Sequence, residues 1–103
     1  MLDYIEIHYA QTISVEELAK ICCFSEYHFM RFFKKHMNMT CVEYMNNFRL
    51  EKAVELFEQG HLSIIEVSMS VGFRNLSYFH RAFKKKYGMT PLTFINKLKN
   101  TVQ

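Results

Sequence analysis

The sequence is poor in residues that interrupt regular structure: its 103 positions include three glycines, one proline and no tryptophan. So few breaks argue against a chain of many tight hairpins and favour helices joined by short turns. Cysteine is scarce as well, with three residues, two of them adjacent at Cys22 and Cys23. An odd count without framework spacing argues against a disulfide scaffold, and the thiols read as reduced, small core hydrophobes. Long apolar runs are missing, and the N-terminus has no basic segment followed by an apolar one. Neither a membrane span nor a signal peptide is expected, which leaves the cytoplasm as the default location. Metal-ligand spacing is lacking too. His8, His28, His36, His61 and His80 form no His-x-x-x-His pair, and the cysteines form no Cys-x-x-Cys pair, so no metal and no cofactor are expected. No activating base can be identified for a nucleophile. Cys41, at a helix start, is the least unfavourable candidate, and neither catalytic residues nor enzyme activity is expected.

What the chain does have is apolar mass. Half of its residues are hydrophobic, with ten phenylalanines and six tyrosines, enough to bury a core and to argue against disorder. The length suits one domain or two small subdomains. The net charge is only +3, but it is unevenly spread. Arg74, Arg81, Lys84, Lys85 and Lys86 fall between Phe73 and Tyr87 with no acid among them, whereas Asp3, Glu6, Glu16 and Glu17 gather near the N-terminus. One basic face is expected, with an anionic polymer as its natural partner.

Apolar spacing predicts a short helix over 2–10. Ser14 with Glu17, Thr40 with Glu43 and Ser63 with Glu66 each read as a capping box opening a further helix. Another helix runs from the cap Ser25 to Asn38, a residue that tolerates the left-handed conformation at a helix end. The helix after Thr40 continues to a stop near Gly60 and is the longest, about 20 residues or about 30 Å. Gly72 breaks the chain after the helix from Ser63. A further helix then ends at Gly88, and Thr90-Pro91 opens a last one through Leu98.

Within this pattern a phrase is written twice. "FMRFFKK" from Phe29 recurs as "FHRAFKK" from Phe79, and "ISVEELAKICCF" has its counterpart in "LSIIEVSMSVGF". Each copy holds a short helix, a turn and a longer helix, which is a helix-turn-helix written twice. The expected fold is all-α, with about seven helices. Residues 1–39 and 60–103 form two helix-turn-helix subdomains, and 40–59 form a linker helix.

At about 100° per residue, Phe29 and Phe33 share one helix face while Arg31, Lys34 and Lys35 take the other. Phe79 and Phe83 are likewise inward, with Arg81, Lys84 and Lys85 outward. Tyr27 and Ser77, four residues before each arginine, join the outward stripe. Such a helix suits a DNA major groove, where arginine can hold guanine O6 and N7 while lysines reach phosphates. A single copy would read more simply as a solvated amphipathic helix; two copies in one context favour duplex DNA. The competing function is a helical protein-interaction module whose basic face is incidental.

The second half, "IEVSMSVGFRNLSYFHRAFKKKYGMTP", resembles the signature of AraC/XylS-type bacterial transcription regulators. "RLEKA" at Arg49–Ala53 is similar to the Arg-Leu-x-x-Ala of their linker helix. The resemblance implies a homeodomain-like fold and sequence-specific binding of double-stranded DNA in adjacent major grooves to regulate transcription. Base contacts are implied at Tyr27, Met30 and Arg31 in the first unit and at Ser77, His80 and Arg81 in the second. Lys34, Lys35, Arg74, Asn75, Lys84 and Lys85 are expected on phosphates. The partners implied are duplex DNA and RNA polymerase, with no membrane, and the location is nucleoid-associated cytoplasm. The domain itself is expected to be monomeric, with dimerisation left to a domain absent from this sequence. Asn38 and Cys41 stand where the family often has Gly and Pro. With Met30 and Glu26 also in the first unit, weaker or more tolerant binding is expected there than in the second.

Overall fold

The computed structural model of the chain describes residues 1–101. Among them the regular elements are helices: α1 Leu2–His8, α2 Val15–Ile21, α3 Glu26–Met37, α4 Cys41–Gln59, α5 Ile64–Ser70, α6 Leu76–Tyr87 and α7 Pro91–Thr101. The chain divides into two compact units, Met1–Phe48 and Arg49 onward, so the division falls inside α4.

In the first unit, α1, α2, α3 and the start of α4 close around Ile5, Ile13, Leu18, Ala19, Phe29, Phe33, Cys41 and Met45. Leu50, Ala53 and Phe57 from the rest of α4 are buried in the second unit, as are Val67, Val71, Phe73, Phe79, Phe83 and Pro91. This second core is aromatic: Phe83 lies 6.0 Å from Phe57, 5.8 Å from Phe79 and 5.7 Å from Phe94 between ring centroids. These separations suit tilted and edge-to-face packing. Helix α4 therefore closes one core and opens the other, and it lacks the single apolar stripe of α3 and α6.

Side-chain caps start the helices where the sequence places them. Thr40 and Glu43 exchange hydrogen bonds reciprocally, as do Ser63 and Glu66. The third expected box is half formed. Ser14 Oγ accepts from the Glu17 N–H at 3.1 Å, but the Glu17 carboxylate accepts from the Tyr4 hydroxyl at 3.3 Å, which draws it toward α1. Helix α1 is also shorter than expected, because the Gln11 N–H closes a turn on the His8 carbonyl at 2.9 Å. Helix α7 instead passes Leu98, where no glycine or proline stops it.

The two inter-helix turns share one hydrogen-bond pattern. After α2, the Cys23 N–H reaches the Lys20 carbonyl and the Phe24 N–H reaches Ala19; after α5, Gly72 reaches Met69 and Phe73 reaches Ser68. This is the Schellman arrangement, which needs a left-handed residue just past the helix. Gly72 supplies it at φ 103°, and Cys23 supplies it at φ 60°. The assignment of all three cysteines to the core therefore needs correcting: Cys41 is buried and Cys22 half-buried, but Cys23 is exposed because its turn points it outward. Burial pushes the Cys41 thiol above its ordinary value, with the Cys41 and Val42 backbone N–H groups opposing. That favours the protonated thiol over a nucleophilic thiolate.

Candidate nucleic-acid interface

Each turn delivers a 12-residue helix, α3 or α6, in a matching frame. Ser25 Oγ caps α3 by accepting from the His28 N–H at 3.2 Å, and Asn75 Oδ1 caps α6 by accepting from Tyr78 at 2.9 Å. The C-terminal ends match as well: Asn38 at φ 59° and Gly88 at φ 75° are left-handed, and each N–H returns to Lys34 or Lys84. Between the helices of each pair lie residues 22–25 in the first unit and 71–75 in the second, so the second turn is one residue longer. With Phe24 matching Phe73 and Ser25 matching Asn75, the added residue is Arg74, an exposed cation immediately before the α6 cap.

The inward faces are those expected. Phe29, Phe33, Phe79 and Phe83 are at most 1% exposed, and they fix the rotation of both helices about their axes. That rotation leaves Tyr27, Met30, Arg31, Lys34 and Lys35 exposed on α3, and Ser77, Arg81, Lys84 and Lys85 exposed on α6. Two shallow depressions flank Arg31. Tyr27, Arg31 and Lys35 line both, with His28, Phe32 and His36 completing one and Met30, Lys34 and Thr40 the other.

Three residues depart from a simple outward stripe. His80 is half-buried and its Nε2 is enclosed without a hydrogen-bond partner, so that nitrogen does not face the surface shared by Ser77 and Arg81. Asn75 is exposed, but its side-chain oxygen is engaged in the cap, which leaves the amide N–H groups for any phosphate. Lys86, the last of the lysine run, turns toward α4, where its Nζ lies 3.7 Å from Glu51 and 5.7 Å from the Tyr87 ring centroid. The basic surface of α6 is thus Arg81 with Lys84 and Lys85, completed by Arg74.

Sequence reasoning passed over Tyr78. Its ring centroid lies 6.0 Å from the Arg81 guanidinium carbon. Arg49, at the start of the second unit, is the other neighbour: burial lowers its guanidinium from its ordinary value, and the negative charge that Tyr78 carries when ionised opposes that shift. A tyrosine three positions before an arginine on a helix is a readable neighbour pair, so Tyr78–Arg81 had a signal in the sequence. Arg49 is brought there by packing, and no local pattern announces it.

Comparison with known proteins gives this geometry a family. A family model described as a helix-turn-helix domain matches residues 18–97. The chain is 35% identical over 94 residues to an uncharacterized HTH-type transcriptional regulator, YdeC, of Bacillus subtilis (strain 168), covering 91% of this chain and 32% of that protein. It is 37% identical over 101 residues to AdaA of the same strain, a bifunctional transcriptional activator/DNA repair enzyme, covering 96% of this chain and 48% of that protein. The chain thus spans about a third to a half of the length of these curated relatives. In fold it is similar to the DNA-binding domain of AdpA, a global transcriptional factor solved in complex with a target DNA. The TM-score is 0.90 at 22% identity, covering 97% of this chain and 90% of that one. With the match running from α2 into α7, across both capped helix pairs and the long helix between them, this chain belongs to the AraC-type helix-turn-helix family of transcription regulators.

Proposed function

We propose that this chain binds double-stranded DNA sequence-specifically, inserting α3 and α6 into adjacent major grooves, and thereby regulates transcription. The observation that carries this reading is the duplicated frame: two capped helices, each anchored by two buried phenylalanines and each exposing an arginine with lysines one turn further on. Arg31 and Arg81 are the proposed guanine readers, with Met30 and Ser77 beside them at the base edges. Tyr27 stands next to Arg31, and His80 joins the base contacts only by turning its buried Nε2 outward. Lys34, Lys35, Arg74, Asn75, Lys84 and Lys85 are the proposed phosphate contacts, which set register without reading sequence. Helix α4, whose 19 residues extend about 28 Å, is the proposed linker between grooves whose faces repeat about every 34 Å. AdpA, of similar fold, is described in complex with a target DNA, which supports the choice of partner.

A second reading, a protein-interaction module, draws on one observation. Ile65 and Met69 on α5 are 52% and 67% exposed, where the matching positions of α2 hold the ion pair Glu16–Lys20 at 3.3 Å. Salt separates the two readings. Duplex binding falls steeply with salt as phosphate neutralisation releases counterions, and an apolar interface does not follow that law.

The deciding experiment selects a bound sequence from a random duplex pool and measures Arg81→Ala on the selected and on random duplexes. The expected loss is about 1–3 kcal/mol on the selected sequence, with relaxed preference at one base pair. Equal loss on both would make Arg81 a phosphate contact, and no duplex binding at any salt would leave the interaction module.

A further inference from the structure

The two units present their arginines differently. Tyr27 and Arg31 are four residues apart on α3, where side chains meet along one ridge. Arg31 Nη1 donates to the Tyr27 hydroxyl oxygen at 3.0 Å, and the guanidinium carbon lies 5.5 Å from the Tyr27 ring centroid. The phenol thus holds the guanidinium by both its hydroxyl and its face. In the second unit the matching position is Ser77, which has a hydroxyl but no ring to hold a guanidinium by its face. Arg81 lies only beside the Tyr78 ring at 6.0 Å, near the outer limit of a cation–π contact.

We infer that Tyr27 is a positioning residue: it orients the Arg31 guanidinium for base reading, so that the first unit discriminates its base pair more strictly than the second. This rests on the proposal that α3 reads DNA. A guanidinium has five N–H donors, and the bond to Tyr27 uses one, leaving enough for two parallel bonds to guanine. Arginine carries substantial rotamer freedom, and fixing it before binding reduces what is lost on contact. Tyr27 is 67% exposed, so this restraint is not a by-product of core packing. The weaker positive charge of the first unit and its stricter reading are then separate properties. Charge sets affinity for any duplex, whereas orientation sets the penalty for a wrong base.

The test is a double-mutant cycle on the duplex selected by the parent chain and on the same duplex with the Arg31 base pair replaced. Tyr27→Phe removes the hydroxyl and keeps the ring. It should weaken selected-duplex binding about 3- to 10-fold, as expected when one side chain must be ordered anew, and narrow the discrimination ratio with the melting temperature unchanged. In an Arg31→Ala background the same change should do nothing. Ser77→Tyr, which supplies a phenol four residues before Arg81, should raise discrimination at the base pair of the second unit. An equal loss from Tyr27→Phe with and without Arg31 would make Tyr27 a contact in its own right and overturn the inference, as would no loss in either background. If Arg31→Ala itself cost nothing on the selected duplex, the DNA reading of the first unit would fail instead.

Discussion

Cys23→Gly should stabilise the protein, because Cys23 holds a backbone conformation that its side chain resists. The residue lies at φ 60° in the turn after α2, and the matching turn after α5 meets the same need with Gly72. A non-glycine residue in the left-handed region costs about 1–2 kcal/mol, since Cβ crowds the following carbonyl. Glycine relieves that cost but gives the unfolded chain more freedom, which returns about 0.4–1 kcal/mol. The exposed thiol contributes little burial to lose. A net gain of about 0.5–1 kcal/mol corresponds to a melting temperature about 2–8 °C higher for a domain of this size. Gly72→Ala is the mirror experiment. At φ 103° it lies further into positive φ than the narrow left-handed well that other residues reach, so a loss of more than about 1 kcal/mol is expected. Circular dichroism melts under reducing conditions measure both. A lower midpoint for Cys23→Gly, or shifts of the same sign for the two variants, would refute the claim that both turns need a left-handed residue.

Phe83→Ala removes a fully buried ring that packs on Phe57, Phe79 and Phe94, and a loss of about 3–5 kcal/mol is expected in denaturant titration. A variant that melted like its parent yet failed to bind duplex would show that Phe83 faces outward. Glu66 gives a pH signature: hydrogen bonds from the Ser63 backbone and side chain hold its carboxyl below the ordinary value of 4.5. A depressed folded-state value means that its contribution is present above 4.5 and is lost as pH falls through the folded-state value. The difference in melting temperature between the parent and Glu66→Gln should therefore shrink as melts are taken from neutral toward acid pH. A difference independent of pH would assign the box to neutral hydrogen bonding alone.

Much of this architecture could be read locally. Caps at Ser14, Ser25, Thr40, Ser63 and Thr90, with Asn38, Gly60 and Gly88 as stops, mark eight of the helix starts and ends through side-chain or backbone chemistry within three or four residues. The inward rotation of α3 and α6 follows from the four-residue spacing of Phe29 with Phe33 and of Phe79 with Phe83, because a helix repeats its face at that interval. Glu17 departs from the expected capping box because its carboxylate has two possible donors, and the one that wins, Tyr4, lies thirteen residues away on another helix.

Sequence by itself determined the helical class, the duplication and the outward arginines, since each depends on periodicity or on neighbours within one turn. Tertiary structure alone decided how those side chains are used. It closes two cores on one continuous α4, turns Lys86 back to Glu51, buries the Nε2 of His80 and brings Arg49 to Tyr78. It also shows that Cys23 carries the same left-handed turn as Gly72, although no propensity assigns that conformation to cysteine. These outcomes depend on which distant surfaces compete for a side chain or impose a turn, and such competition arises only once the helices have packed.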